Sequence, residues 1–192
     1  MFEADDWHRT MPPNVLGRVH LHDGPMFAGK TGKLLRLQKL AAELGLATLV
    51  ISHAADTRYA RDYVVSHDGE KIECLAVSEL GEVSIRDYHI IFIDEAQFMP
   101  DLVLFCNRAM EAGKVVHVFG LHSDYLLREF NSVRQLSLMA SSVCHMTGVC
   151  SKCSERATET ARISSDTERI VIGSAQYEAR CKQCHTLPPT AQ

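Results

Sequence analysis

The 192-residue sequence has no apolar run approaching the ~18 residues that a membrane-spanning helix needs. It has no basic excess either. Twenty Lys and Arg stand against 24 Asp and Glu, a formal charge of −4, which speaks against a large nucleic-acid-binding surface. Residues 1–16 contain no continuous apolar stretch of the secretory kind and read as a flexible lead-in, with Pro12 and Pro13 among them. Residues 186–192, with Pro188 and Pro189, read as a loose tail. Internal repeats and low-complexity tracts are also missing. What is left is a chain with 46% hydrophobic residues, enough for a sizeable core, expected to be cytoplasmic with neither membrane nor nucleic acid as partner.

Against those absences stands an unusual number of cysteines, seven, of which four are paired as Cys150-Ser-Lys-Cys153 and Cys181-Lys-Gln-Cys184. Without a secretory signal, metal binding is a better reading of such pairs than disulfides. Four thiolates in a C-x₂-C…C-x₂-C array suit tetrahedral Zn²⁺, and a closed four-sulfur shell leaves no open position, so the expected role is structural. His145 and His185 lie close enough in sequence to replace a thiolate. Cys74, Cys106 and Cys144 sit among apolar residues and are expected to be buried free thiols.

The first third reads as a βαβ unit. Gly17 to His22 reads as a strand ending at Asp23-Gly24-Pro25. Leu34, Leu37, Leu40, Ala41 and Leu44 then recur at helical spacing, and Ala47 to Ser52 reads as a second strand. A polar stretch from His53 to Glu70 follows, then a short strand at Ile72–Val77 and a buried strand at Tyr88–Ile93. Pro100 is expected to open a helix to about Ala112, before a further strand at Val115–Leu121. Residues 122–134 have no clear period and read as a long loop, and Leu136–Ala140 as a short helix. The expected division is a P-loop α/β nucleotide-binding domain over 17–143 and a zinc-stapled domain over 144–185.

Two motifs carry the chemistry. Gly24-Pro25-Met26-Phe27-Ala28-Gly29-Lys30-Thr31 matches the P-loop pattern G-x-x-x-x-G-K-[ST], in the required place between a strand and a helix. Triphosphate oxygens are held there by backbone N–H groups and by the positive end of the helix. Lys30 would reach the β- and γ-phosphates and Thr31 would offer its hydroxyl to Mg²⁺. Gly29 is expected to permit close approach of the phosphates. Gly32, in the first turn of the helix, is a poor helix former and costs ~1 kcal/mol relative to Ala if it is helical.

The second motif is Tyr88-His-Ile-Ile-Phe-Ile93-Asp94-Glu95, a buried strand delivering two carboxylates to its C-terminal end, where ligands bind in parallel α/β sheets. Asp94 would hold Mg²⁺ and Glu95 could accept a proton from an attacking hydroxyl or water. A water-activating ATPase and a kinase look alike at this point.

Taken together, from about Gly17 to Cys184, these elements resemble the small, zinc-containing (type II) thymidine kinases. The resemblance rests on residues 24–31, Asp56-Thr-Arg-Tyr59, Ser66-His-Asp-Gly69, Ile93-Asp-Glu-Ala-Gln-Phe98, Val171-Ile-Gly173, and Tyr177 before the second cysteine pair. It implies a RecA-like P-loop core with a parallel sheet, a zinc-binding lasso domain and a homotetramer. It also implies transfer of the ATP γ-phosphate to the 5′-hydroxyl of thymidine, giving dTMP for DNA precursor salvage, with feedback inhibition by dTTP.

By position, the resemblance makes Glu95 the catalytic base and puts Gln97, Asp56 and Arg58 near the nucleotide and its phosphates. Met26, Phe98, Leu121 and Tyr125 match the apolar base pocket, with Tyr125 where Phe is usual. Arg162, Val171, Ile172, Gly173 and Tyr177 match the lasso over the pyrimidine. On residue type alone, Met26, Phe98 and Leu121 read as core, Tyr177 as a surface or core tyrosine and Arg58 as a solvated charge.

The departures are Ala28 for a common Ser, Ala96 for a common Gly, and residues 122–130. That stretch keeps Asp124-Tyr125 and Phe130 but lacks the basic residue after the aromatic and the Pro before the final Phe. Two other readings remain at this level: a DNA-associated ATPase whose zinc lobe grips nucleic acid, and a binding protein that has lost catalysis. The acidic balance opposes the first, and the intact Lys30, Thr31, Asp94 and Glu95 oppose the second.

Overall fold

The computed structural model describes residues 17–55, 62–66, 69–166, 168–169, 171 and 173–186. The lead-in, Asp56, Arg58, Ile172 and nearly all of the tail lie outside the described residues.

Six strands form one parallel sheet: β1 (Arg18–Asp23), β2 (Thr48–His53), β5 (Leu75–Val77), β6 (Ile90–Ile93), β7 (Val115–Gly120) and β8 (Ser142–His145). Their order is β5-β2-β6-β7-β1-β8. The strand feeding the P-loop and the strand delivering Asp94 are therefore separated by β7. Both motifs emerge at the same, C-terminal edge, as a parallel sheet requires.

Alternation divides the side chains between two faces. Val19, Leu21, Ile91, Ile93, Val116 and Val118 pack against α2 (Leu102–Glu111) and α3 (Asn131–Ser137), burying Phe105, Cys106 and Leu136. On the opposite face, α1 (Lys30–Glu43) sets Leu34 and Leu35 against Val50, Phe92 and Phe119. α1 covers β2, β6 and β7, and beyond its reach this face carries flat polar rings. His117 stacks on Phe92 at 5.4 Å and on His20 at 4.9 Å, and His22 stacks on Phe119 at 4.6 Å. His22 Nε2 and His117 Nδ1 share a hydrogen bond of 3.1 Å.

Several elements differ from the sequence reading. α1 begins at Lys30, and its Leu40 and the C-cap residue Leu44 are exposed, because the buried stripe runs through Leu34, Leu35 and Ala41. The polar stretch contains β3 (Tyr63–Val65), paired with β4 (Lys71–Glu73), so the strand expected at 72–77 is two short ones. Pro100 lies in the turn before α2, not in its first turn.

The helix expected at Leu136–Ala140 is instead α3, set earlier so that Val133 and Leu136 face the core. β8 joins the main sheet beside β1 and straddles the 143/144 boundary. Of the three cysteines outside the C-x₂-C motifs, Cys106 is buried as expected. Cys74 and Cys144 are only partly so, and Lys33 Nζ lies 3.3 Å from Cys144 Sγ.

Past β8 the chain forms two hairpins: β9 (Gly148–Val149) with β10 (Arg156–Ala157), and β11 (Glu159–Arg162) with β12 (Tyr177–Arg180). The four paired cysteines sit at their ends. This lobe rests on the P-loop: a Cβ on Gly24 would stand 2.4 Å from the Met146 carbonyl oxygen, so only glycine fits there.

Candidate active site

The P-loop turns from β1 into α1 through left-handed residues at Phe27 (φ 62°) and Gly29 (φ 75°). Nothing in the protein lies within 4 Å of a Cβ built on Gly29, and its left-handed backbone by itself calls for glycine here. Lys30 folds over its own loop, donating to the carbonyls of Pro25 at 2.7 Å and Gly24 at 3.2 Å.

Thr31 Oγ1 donates to Asp94 Oδ2 at 3.2 Å, across 63 residues of sequence. Adjacent ligands of an octahedral Mg²⁺ stand about 3 Å apart, given metal–oxygen bonds of about 2.1 Å. These two oxygens therefore fit neighbouring positions on one ion. Asp94 is almost fully buried, and its other oxygen accepts the Glu95 N–H at 3.1 Å.

Glu95 is left-handed (φ 51°, ψ 38°), a conformation that costs about 1 kcal/mol for a residue with a Cβ. The turn throws its carboxylate into a cavity of about 670 Å³. Gln97 fixes it there: its Nε2 donates to Glu95 Oε2 at 2.5 Å while its Oε1 accepts the Leu121 N–H at 2.9 Å. Both ends of the Gln97 amide are used within the wall.

One end of the cavity is the phosphate loop, from Met26 to Gly32. The other is walled by Phe98, Leu121, Tyr125 and Phe130 from the core, by Val171 and Gly173 from the β11–β12 connection and by Tyr177 at the start of β12. Phe98 and Phe130 meet edge to face at 6.4 Å. The Tyr177 hydroxyl accepts from Arg162 Nη2 at 2.5 Å and from the Val171 N–H at 3.1 Å.

Among the expected site residues, Met26, Phe27, Ala28, Gly29, Lys30, Thr31, Glu95, Gln97, Phe98, Leu121, Tyr125, Val171, Gly173 and Tyr177 all line this one cavity. Gly24, Pro25 and Asp94 support it from behind. Arg162 stands outside its lining. Its guanidinium lies 3.8 Å from the centre of the Tyr125 ring and collects the carbonyls of Asp166, Glu168 and Arg169. It organises the lasso from within.

Sequence reasoning passed over Thr160 and Arg169, which also line the cavity, and met Ser66 and Ser123 only as members of longer stretches without giving them a role. Thr160 Oγ1 accepts the Met26 N–H at 3.0 Å, tying the zinc lobe to the phosphate loop. A lone threonine in a short strand belongs to no motif and gives no signal. Asp124 and Phe130 had a signal, their place in the 122–130 stretch, but no role followed from it. Residues 122–130 form the expected loop, closed into a tight turn, while 131–134 belong to α3: Asp124 Oδ1 accepts the Leu126 and Arg128 N–H groups, each at 2.9 Å, and Phe130 N–H bonds the His122 carbonyl.

The sulfurs of Cys150, Cys153, Cys181 and Cys184 lie within 4.8 Å of one another, with Cys153 and Cys181 3.6 Å apart. Four thiolates around Zn²⁺ at bonds of about 2.3 Å stand about 3.8 Å apart, so the donor set fits. Hydrogen bonds with Cys153 and Cys181, followed by burial, push the Cys184 thiol up to about 12. Four thiols so close resist ionising together, and a dication offsets that resistance. His145 is directed elsewhere, its Nδ1 2.6 Å from Asp23 Oδ1. No helix among the described residues is long and apolar enough to cross a membrane.

Comparison with known proteins agrees with this geometry. The thymidine kinase of Oryza sativa subsp. japonica is 40% identical over 181 residues, spanning 89% of this chain and 67% of its own. Thymidine kinase a of Arabidopsis thaliana is 39% identical over 176 residues, covering 87% of this chain and 74% of that protein. The thymidine kinase of Yaba monkey tumor virus is 35% identical over 172 residues, covering 88% and 94% respectively. The sequence model of the thymidine kinase family matches residues 17–185, nearly the whole of the described structure, and the chain belongs to that family.

Proposed function

We propose that this protein transfers the γ-phosphate of ATP to the 5′-hydroxyl of thymidine, yielding dTMP and ADP. The observation that carries the proposal is the single cavity whose walls include the phosphate loop, Glu95 and the aromatic pocket of Tyr125, Phe130 and Tyr177. ATP phosphates occupy the loop at Gly24–Thr31. The pyrimidine lies between Phe98, Leu121, Met26 and Tyr125, under Val171, Gly173 and Tyr177, where backbone groups read its edge and aromatic rings take its faces.

Glu95 accepts the 5′-hydroxyl proton as the oxygen attacks the γ-phosphorus, and ADP leaves with the bonding electrons of the β–γ bridge. Gln97 positions the carboxylate for that transfer. Lys30 spreads charge from the transferred phosphoryl group. Thr31 and Asp94 would hold Mg²⁺, which when bound to ATP neutralises the phosphate oxygens.

The four cysteines hold structural Zn²⁺. The family resemblance supports a cytoplasmic homotetramer inhibited by dTTP, with Asp56 and Arg58 near the phosphates and Ile172 in the lasso. Replacing Glu95 with Gln is expected to lower kcat by about 10²–10⁴-fold while ATP binds as before, since the carboxamide keeps the shape and loses only the base. Near-normal turnover would defeat the assignment of the base.

A further inference from the structure

Arg169 lies in the β11–β12 connection, 45 residues beyond Asp124, and its Nε donates to Asp124 Oδ2 at 2.7 Å. Its Nη2 reaches the Glu129 carbonyl at 3.4 Å, and its guanidinium carbon lies 5.2 Å from the centre of the Phe130 ring. Arg169, Asp124 and Phe130 all wall the acceptor end of the cavity. An exposed ion pair between long side chains contributes little. This one differs, because the Asp124 side chain is only 3% exposed. Burial alone would raise the Asp124 carboxyl. The Arg128 backbone N–H, the Arg169 and Arg128 side chains and the Leu126 N–H outweigh it and hold the carboxyl below its usual value.

The β11–β12 connection is thus tied in two different ways. Arg162 gathers its carbonyls from within and braces them on Tyr125 and Tyr177. Arg169 reaches out of it to the 122–130 turn. We propose that Arg169 is a latch, a positioning residue that pairs with Asp124 to hold the segment bearing Val171 and Gly173 over the acceptor pocket, and that this pairing sets the affinity for thymidine. The substrate in this statement rests on the function proposed above.

Arg128 Nε also donates to Asp124 Oδ2, at 3.0 Å, so removing Arg169 leaves the buried carboxylate paired and the fold intact. The test compares the parent enzyme with Arg169→Met, Arg169→Lys, Asp124→Asn and the double variant Arg169→Met/Asp124→Asn. Steady-state kinetics are measured together with hydrogen–deuterium exchange of segment 163–176 without ligand. Arg169→Met is expected to raise KM for thymidine about tenfold, between the effect of an exposed ion pair and that of a fully desolvated one, with kcat and KM for ATP within about twofold.

Arg169→Lys keeps the charge but loses the planar contact with Phe130, and is expected to recover part of the loss. In the double variant the two effects are expected to be less than additive. Exchange in 163–176 should quicken in Arg169→Met and stay unchanged in the cysteine-bearing peptides. Unchanged exchange overturns the latch. Faster exchange with an unaltered thymidine KM, or with kcat and ATP KM falling in step, overturns its role in acceptor affinity. If the parent enzyme phosphorylates no thymidine, the substrate reading fails instead, and exchange still decides whether the latch exists.

Discussion

Acid should unfold this protein earlier than an ordinary α/β domain, because two histidine rings are folded into the sheet as neutral groups. Burial first, then Lys33, His117 and His20, brings the His22 ring down to about 3. Burial, His20 and Lys33 bring His117 down to about 4. His20 is lowered as well, by burial and by Arg18. His22 Nδ1 is buried without a hydrogen-bond partner, so a proton there would meet no acceptor.

Unfolded histidine titrates near 6.5. Above that pH both states are neutral and the rings contribute no pH dependence. As pH falls from 7 to 5 the unfolded chain takes up a proton at each ring and the folded chain takes up almost none, so stability drops by about 2 kcal/mol per ring. Partial exposure and the coupling of the two rings reduce the combined loss to about 3 kcal/mol. The loss continues until the folded rings also protonate, below about 4 for His117 and about 3 for His22.

Urea unfolding at pH 7 and pH 5 measures this directly when the parent is compared with His22→Phe/His117→Leu, which keeps the apolar stack and removes both titrations. The double variant should lose about 3 kcal/mol less than the parent over that interval. Equal losses would show that these rings titrate normally and would refute the reasoning.

Zinc analysis should return one ion per chain held by the four cysteines. Replacing Cys181 with Ser should release the ion, lower Tm and raise KM for ATP, since the lobe bears on the phosphate loop through Thr160 and Gly148; an unchanged Tm and full activity in the ion-free protein would refute this. Gly32 is helical and a Cβ there meets nothing within 4 Å, so Gly32→Ala should stabilise the ligand-free protein by up to ~1 kcal/mol, about 2–4 °C in Tm for a chain of this size. Gly32 also lines the phosphate end of the cavity, so the same substitution should weaken ATP binding, measured by titration calorimetry; unaltered ATP affinity would separate the glycine from the phosphates.

What could be read from sequence was what chemistry forces into fixed spacing. The phosphate loop, Asp94 and Glu95 at the end of a buried strand, and the two cysteine pairs need particular residues at particular intervals, and the structure brings each set together. β6 and β7 were legible because a strand buried inside a parallel sheet is apolar almost throughout, and β1 because its polar and apolar residues alternate.

Short elements carried too little period to be read. β8 has four residues ending among histidine and cysteine, and only pairing with β1 makes it a strand. α3 holds two buried side chains, Val133 and Leu136, too few to mark where it starts. At the site, the unread residues act through partners far along the chain. Thr160 meets Met26, and Arg169 meets Asp124, only after folding. Arg162, expected among the substrate contacts, lies outside the lining of the cavity and braces Tyr125 and Tyr177, which do line it, because a motif match reports position and not which way a side chain is used.

The central claim, a thymidine phosphotransferase acting in one continuous cavity, is tested most directly by following phosphate from Mg·ATP onto a panel of deoxynucleosides. The account predicts that thymidine is converted to dTMP while deoxyadenosine and deoxyguanosine are not. Transfer to either purine deoxynucleoside but not to thymidine, or ATP hydrolysis stimulated by DNA with no nucleoside phosphorylated, would contradict it.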